Sequence, residues 1–207
     1  MDARQEEVEE SKSLLVPETV QSEATKCPHY VRRCHMLMPC CKKMYPCRLC
    51  HDSTEDHEVN RFEVETLLCT QCGTEQAVAS HCQDCSIMFG MYSCTKCRLF
   101  DDADKGQFHC SKCELCRVGG KDKFFHCDQC GICLSINIRD THKCRSDSGK
   151  DKCPVCFESV YTSTEPSLVP GCGHLIHSKC HRLIMEYGHK RCPYCNQNYE
   201  KMNQASS

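Results

Sequence analysis

Apolar residues in this 207-residue chain seldom recur with helical spacing. One stretch does. Ser178–Tyr187 reads SKCHRLIMEY, with apolar side chains at Leu183, Ile184 and Tyr187, and the spacing predicts a short helix. Ser178 is its expected N-cap and Gly188 its expected stop. A second short helix around Glu6–Leu15 would have nothing to pack on. Elsewhere the pattern predicts loops, knuckle turns and very short strands. No apolar run approaches the ~20 residues of a membrane span, and no membrane association is expected.

The quoted apolar share of 40% includes 25 cysteines; without them roughly 28% remains, and there is no tryptophan. Apolar burial alone cannot hold a chain of this length with so little material. The remaining cross-links are disulfides or metal ions. Disulfides fit poorly. The cysteine count is odd, and the start MDARQEEVEE lacks the basic residues and apolar run of a secretory signal. The cysteines also come mostly as Cys-x-x-Cys pairs, and eight of the 12 histidines sit at ligand-like offsets from them. Those are zinc-knuckle spacings, expected in a reducing intracellular compartment.

Residues 1–26 hold no cysteine or histidine and carry a net charge of −4, the composition of a disordered acidic tail. A polar, glycine-containing linker is expected at 146–152 and a polar tail at 197–207. Ligand-rich modules are expected at 27–90, 91–145 and 153–196. Within the second, Phe108-His109-Cys110-x-x-Cys113-x-x-Cys116 recurs 17 residues later as Phe125-His126-Cys127-x-x-Cys130-x-x-Cys133. A unit this short and this polar should stack through shared metal sites.

The third module orders its ligands as Cys153, Cys156, Cys172, His174, His177, Cys180, Cys192 and Cys195, enough for two tetrahedral sites. This order resembles a RING finger of the two-histidine type. The cross-brace implied by that resemblance puts Cys153, Cys156, His177 and Cys180 on one zinc, and Cys172, His174, Cys192 and Cys195 on the other.

The central module offers Cys94, Cys97, His109, Cys110, Cys113, Cys116, His126, Cys127, Cys130, Cys133, His142 and Cys144. Adjacent residues such as His109 and Cys110 point different ways and should serve neighbouring metals. The expected staggered scheme is Cys94/Cys97/Cys110/Cys113, then His109/Cys116/Cys127/Cys130, then His126/Cys133/His142/Cys144, a linear zinc spiral.

The first module offers Cys27, His29, Cys40, Cys41, Cys47, Cys50, His51, His57, Cys69, Cys72, Cys82 and Cys85. The knuckles Cys69/Cys72 and Cys82/Cys85 should close one site. The other eight residues make two sites whose partition spacing leaves open, with Cys34 as the extra candidate. Thirty-two ligands correspond to eight zinc ions, in closed sites of structural rather than catalytic type. Cys34, His35, His81, His181 and His189 are left over.

This count alters the charge. The formal net charge of −2 treats cysteine as neutral, whereas twenty-four zinc-bound thiolates and eight divalent ions bring it to about −10. No basic face is expected, and with it no nucleic-acid partner.

Cys27-Pro28-His29-Tyr30, Pro39-Cys40-Cys41, Tyr45-Pro46-Cys47-Arg48-Leu49-Cys50-His51-Asp52 and Glu55-Asp56-His57 resemble the CHY-type zinc finger. Residues 94–144 resemble the CTCHY-type finger. With the RING, the chain resembles the RING finger and CHY zinc finger domain-containing family of ubiquitin ligases. The resemblance implies small zinc-stabilised modules, mostly irregular with short strands: a CHY finger, a CTCHY zinc spiral and a cross-brace RING with one short helix. It implies a RING-type ubiquitin transferase of cytoplasm and nucleus that moves ubiquitin to a protein substrate for degradation. The RING recruits a ubiquitin-charged conjugating enzyme, whose own cysteine does the chemistry, so no catalytic residue is expected here. The enzyme-docking positions carry over to Val155, Ile184 and Pro193. Two departures stand out. Many active RINGs place Arg or Lys after the last ligand, where this chain has Asn196. Longer members carry a further zinc-binding segment beyond the RING. Both favour the alternative, a non-catalytic scaffold or antagonist with a weakened RING.

Overall fold

A computed structural model describes residues 27–199; the expected acidic tail, the short helix at Glu6–Leu15 and most of the polar tail lie outside them. The chain opens with β1 (Cys34–Leu37), β2 (Met44–Tyr45) and a five-residue helix α1 (Arg48–Asp52). Strands β3 (Thr66–Cys69) and β4 (Glu75–Ala77) complete an antiparallel sheet of order β2-β1-β3-β4. Alternation along β1 sends Cys34 and Met36 inward, opposite Cys69 and Leu67 of β3. Helix α1 is too short for any hydrophobic period to reveal. Its start is set by Cys47, whose Sγ accepts a hydrogen bond from Cys50 N at 3.3 Å.

Three hairpins follow: β5 (Tyr92–Cys94) with β6 (Leu99–Asp101), β7 (Phe108–Cys110) with β8 (Leu115–Arg117), and β9 (Phe124–Cys127) with β10 (Ile132–Ser135). Each is folded over a Cys-x-x-Cys turn. The last part holds β11 (Ser167–Leu168), β12 (Ile176–His177) and α2 (Ser178–Glu186). The expected N-cap is displaced by one residue: His177 occupies it, and Ser178 is the first helical residue. The His177 ring cannot cap, because its Nδ1 is turned to Cys156 Sγ at 3.3 Å. Gly188 ends the helix as expected, with φ +78°. Of the three apolar residues used to anticipate α2, only Ile184 packs on the core; Leu183 and Tyr187 are exposed. No helix among the described residues is long and apolar enough to cross a membrane.

Two small cores run across the module boundaries. Met36, Met38, Leu67 and Phe89 of the first module enclose Phe100 of β6, and the Phe89 and Phe100 rings meet edge to face at 6.0 Å. Beside them the buried Asp101 carboxylate accepts hydrogen bonds from Val31 N at 3.1 Å and Lys105 Nζ at 2.8 Å. Burial opposes its ionisation, but Lys105 and backbone N–H groups hold the carboxyl below the usual carboxylate range. Farther along, Ile132 and Leu134 of β10 share a core with Val160, Leu175 and Ile176. Residues 146–152 join these parts as a packed connection: Ser148 and Gly149 are buried, and Gly149 N donates to Cys130 O at 2.8 Å.

Candidate metal centres

The structure gathers cysteines and histidines into close quartets. Five are Cys27/His29/Cys47/Cys50, Cys69/Cys72/Cys82/Cys85, Cys94/Cys97/His109/Cys116, Cys110/Cys113/His126/Cys133 and Cys127/Cys130/His142/Cys144, each with its donor atoms within 4.8 Å of one another. Three further groups lie among the described residues. Sulfur–sulfur separations cluster tightly: 3.6 Å for Cys27–Cys47, 3.5 Å for Cys72–Cys82, 3.6 Å for Cys113–Cys133 and 3.6 Å for Cys127–Cys144. Zinc–sulfur bonds of about 2.3 Å in a tetrahedron give an edge of ~3.8 Å, so these quartets have the size of zinc sites.

In the first module, Cys69, Cys72, Cys82 and Cys85 come together as anticipated. The partition that spacing left open resolves as Cys27/His29/Cys47/Cys50, leaving Cys40, Cys41, His51 and His57. Cys40 Sγ lies 3.2 Å from His51 Nε2 and touches the Cys41 thiol, and the His51 and His57 rings are 5.0 Å apart. Two carboxylates that sequence reasoning passed over set the ring orientations. Asp52 Oδ1 is 2.9 Å from His51 Nδ1, and Asp56 Oδ1 is 2.9 Å from His57 Nδ1. Each carboxylate accepts a hydrogen bond from Nδ1–H and so leaves Nε2 free to ligate, the arrangement of a metal–histidine–carboxylate triad. The signal was legible, since each aspartate adjoins its histidine in sequence.

The staggered scheme expected for the central module is overturned, although the same twelve residues are used. Across β7–β8, His109 faces Cys116, and across β9–β10, His126 faces Cys133. Paired side chains share one face of a hairpin, while the next residue, Cys110 or Cys127, points to the other. His109 and Cys116 therefore reach back to Cys94 and Cys97, with Cys97 Sγ 3.4 Å from His109 Nδ1. His126 and Cys133 likewise reach back to Cys110 and Cys113. The last quartet has no following hairpin and is closed by the loop residues His142 and Cys144. His142 Nδ1 donates to Ile138 O at 2.8 Å, which turns Nε2 to Cys127 at 3.3 Å and Cys144 at 3.0 Å.

In the third module the cross-braced pairs approach one another. His177 Nδ1 faces Cys156 at 3.3 Å, and Cys180 touches the thiols of Cys153 and Cys156. His174 Nδ1 faces Cys192 at 3.7 Å, and Cys172 touches Cys192 beside Cys195.

Neighbouring groups favour the thiolate at several of these positions. Thr74 beside Cys72 holds its thiol down at about 6, Cys116 holds Cys97 at about 5, and Cys133 holds Cys113 at about 4. Their partner thiols, Cys116 and Cys133, are pushed up in turn by Cys97 and Cys113, since like charges this close resist joint ionisation. A divalent cation removes that conflict. The donor chemistry, mixed thiolate and imidazole in closed fours, fits zinc, and the chain binds zinc through these clusters.

One backbone device recurs at seven knuckles. The residue after the second cysteine is left-handed at Gly73, Ser86, Arg98, Glu114, Gly131, Phe157 and Asn196, with φ between +53° and +76°. At Gly73, Ser86, Gly131, Phe157 and Asn196 its N–H donates to the carbonyl of the first cysteine, at 2.8 Å for Asn196 N to Cys192 O.

The three residues proposed from sequence for enzyme docking lie together. Val155, Ile184 and Pro193 line one surface groove of about 800 Å³, whose rim includes His189, Lys190, Arg191 and Asn196. Of the remaining leftovers, Cys34 is fully buried in the first core and the His181 ring contacts Tyr199 at 5.0 Å.

Comparison with known proteins agrees with this anatomy. Residues 27–92 match the CHY zinc finger family and residues 151–196 match the RING finger domain. The chain is 44% identical over 173 residues to E3 ubiquitin-protein ligase SRFP1 of Oryza sativa subsp. japonica, covering 82% of this chain and 66% of that protein. It is 42% identical over 189 residues to probable E3 ubiquitin-protein ligase RZFP34 of the same organism, covering 86% and 63%. It is 37% identical over 182 residues to zinc finger protein BRUTUS of Arabidopsis thaliana, covering 85% of this chain and 14% of that protein. The chain thus spans at most 66% of the length of these relatives.

Proposed function

The chain belongs to the proteins that unite a CHY zinc finger with a RING finger, and we propose that it acts as a RING-type ubiquitin-protein ligase. In this reading the groove formed by Val155, Ile184 and Pro193 receives a ubiquitin-charged conjugating enzyme and promotes transfer to a protein substrate, marking it for degradation. The observation that carries the reading is the convergence of those residues, far apart in sequence, on one groove beside the cross-braced sites. Zinc, in eight closed sites, supplies the rigidity of that surface and takes no part in the reaction. The protein contributes orientation, while the nucleophile and the thioester belong to its partners. Module boundaries at 27–90, 91–145 and 153–196 follow the three groups of quartets. Thiolate-bound zinc suits the reducing conditions of cytoplasm and nucleus.

The test is reconstitution with ubiquitin, activating enzyme and a panel of conjugating enzymes. Zinc-dependent chain formation is expected with at least one, and Val155→Ala or Pro193→Ala should lower it by about tenfold, a truncation at an apolar contact point. Absence of transfer with every enzyme would sink the proposal.

Asn196 motivates a second reading, a scaffold that binds the enzyme without activating it. Its backbone is left-handed, a conformation that Asn adopts readily, and Arg98 holds the same place in an earlier knuckle. Arginine is therefore compatible with the position. Asn196→Arg is expected to fold normally and to speed discharge of the charged enzyme severalfold. If wild type binds without discharge and the variant discharges, the scaffold reading is the correct one.

A further inference from the structure

The docking groove is electrically unlike the rest of the chain. Asp and Glu outnumber Lys and Arg by 28 to 26, and zinc loading makes the protein more acidic still. Yet His189, Lys190 and Arg191 line the groove consecutively, and none of its eleven lining residues is Asp or Glu. All three basic residues are exposed. Their backbone is fixed in place. Gly188 turns the chain out of α2, His189 N donates to Ile184 O at 2.8 Å, and Tyr199 N donates to Lys190 O at 2.9 Å. Arg191 Nη1 donates to Asn196 O at 3.2 Å, laying the guanidinium along the groove's edge. The two RING zinc sites beside the groove carry one net negative charge each, which matches but does not exceed the two permanent cations, and Lys190 and Arg191 are the charges exposed at the groove itself.

We propose that this cationic rim selects among conjugating enzymes. The partner it fits presents an apolar side chain to Val155, Ile184 and Pro193 with one or more carboxylates beside it. The inference rests on the ligase reading and adds the chemistry of the partner. Apolar contact alone discriminates weakly among related enzymes, whereas juxtaposed like charges exclude the wrong ones. Lys190 and Arg191 are then specificity residues: they set which enzyme binds, and do not act on the thioester.

The test compares full-length, zinc-loaded protein against two versions of one conjugating enzyme, differing only in acidic or basic side chains at the docking face. Wild type should prefer the acidic version, and its affinity should fall severalfold between about 0.05 and 0.5 M salt. Lys190→Glu with Arg191→Glu should reverse the order, while Val155→Ala should weaken both versions alike. Arg191→Gln keeps a donor for Asn196 O, and with zinc content measured on every variant it separates loss of charge from loss of fold. If the charge variants leave the ranking unchanged while Val155→Ala still weakens binding, the charge rule is wrong and the ligase reading stands. If wild type binds neither version, nor any other conjugating enzyme, both fall.

Discussion

Histidines in this chain divide by which ring nitrogen faces the thiols. His29, His109, His126, His174 and His177 present Nδ1, whereas His51 and His142 present Nε2. The second choice needs a partner for Nδ1, supplied by Asp52 or by Ile138 O. Asp52→Ala should accordingly raise the rate of zinc loss from the Cys40/Cys41/His51/His57 group by about ten- to hundredfold, the usual cost of an outer-shell partner. Native mass spectrometry during chelator challenge would show one ion leaving early. Cys34, the odd cysteine, illustrates the opposite case. Burial pushes its thiol up to about 12, so it is neutral and unreactive at physiological pH. The sign is that of a group raised on folding: its contribution is intact below about 9 and is lost as pH climbs towards about 12. Cys34→Ala should retain every zinc ion and cost about 1–2 kcal/mol, while alkylation of Cys34 in the wild type should require unfolding.

Among elements, the knuckle hairpin recurs, and its chirality follows from backbone sterics. A left-handed residue after the second cysteine closes the turn, and the repeat uses Glu114 in one copy and Gly131 in the next. Glu114→Gly should stabilise the protein by up to about 1 kcal/mol, because glycine reaches this conformation without a Cβ penalty. A higher chelator concentration at half-unfolding would show it. The hairpin also explains why the central ligand scheme had to be reversed. Alternation of His109 and Cys110 was readable from sequence, and it correctly separated them onto different metals. The direction in which each face points depends on how one hairpin stacks on the next, which alternation does not encode. Helix α1 escaped notice for a related reason: it is started by a cysteine that folds back on its own backbone, and five residues carry no period.

At the scale of the molecule, shared cores and hydrogen bonds join neighbouring modules. Tyr161 Oη donates to Cys113 O at 2.6 Å, and Arg117 Nη1 donates to Tyr161 O at 2.9 Å, tying the central hairpins to the RING. The segment at 146–152, polar enough to read as a free linker, is wedged where a Cβ on Gly149 would sit 2.8 Å from both Cys130 O and Ile132 Cβ. Gly149→Val should cost about 1–3 kcal/mol through that overlap, and hydrogen exchange should rise in 94–144 and 153–196 together. Because thiolate and imidazole ligands must be deprotonated, acid should release the metal and unfold the cores with it. Titration of the released ions is expected to count eight, and six or fewer would refute the ligand assignment.

Sequence alone pointed to metal binding, to the cysteines and histidines that are candidate ligands, to a 17-residue repeat and, by resemblance, to a CHY finger and a RING. The candidate ligands and the repeat follow from composition and local spacing, because a Cys-x-x-Cys knuckle is built within a few residues. Only the tertiary structure decided which knuckle pairs with which histidine in the first two modules, and that one shared core joins the RING to its neighbour. It alone brought Lys190 and Arg191 to the rim of the groove that Val155 and Pro193 floor. Each of these depends on the relative placement of separate hairpins, which packing sets and no local pattern records.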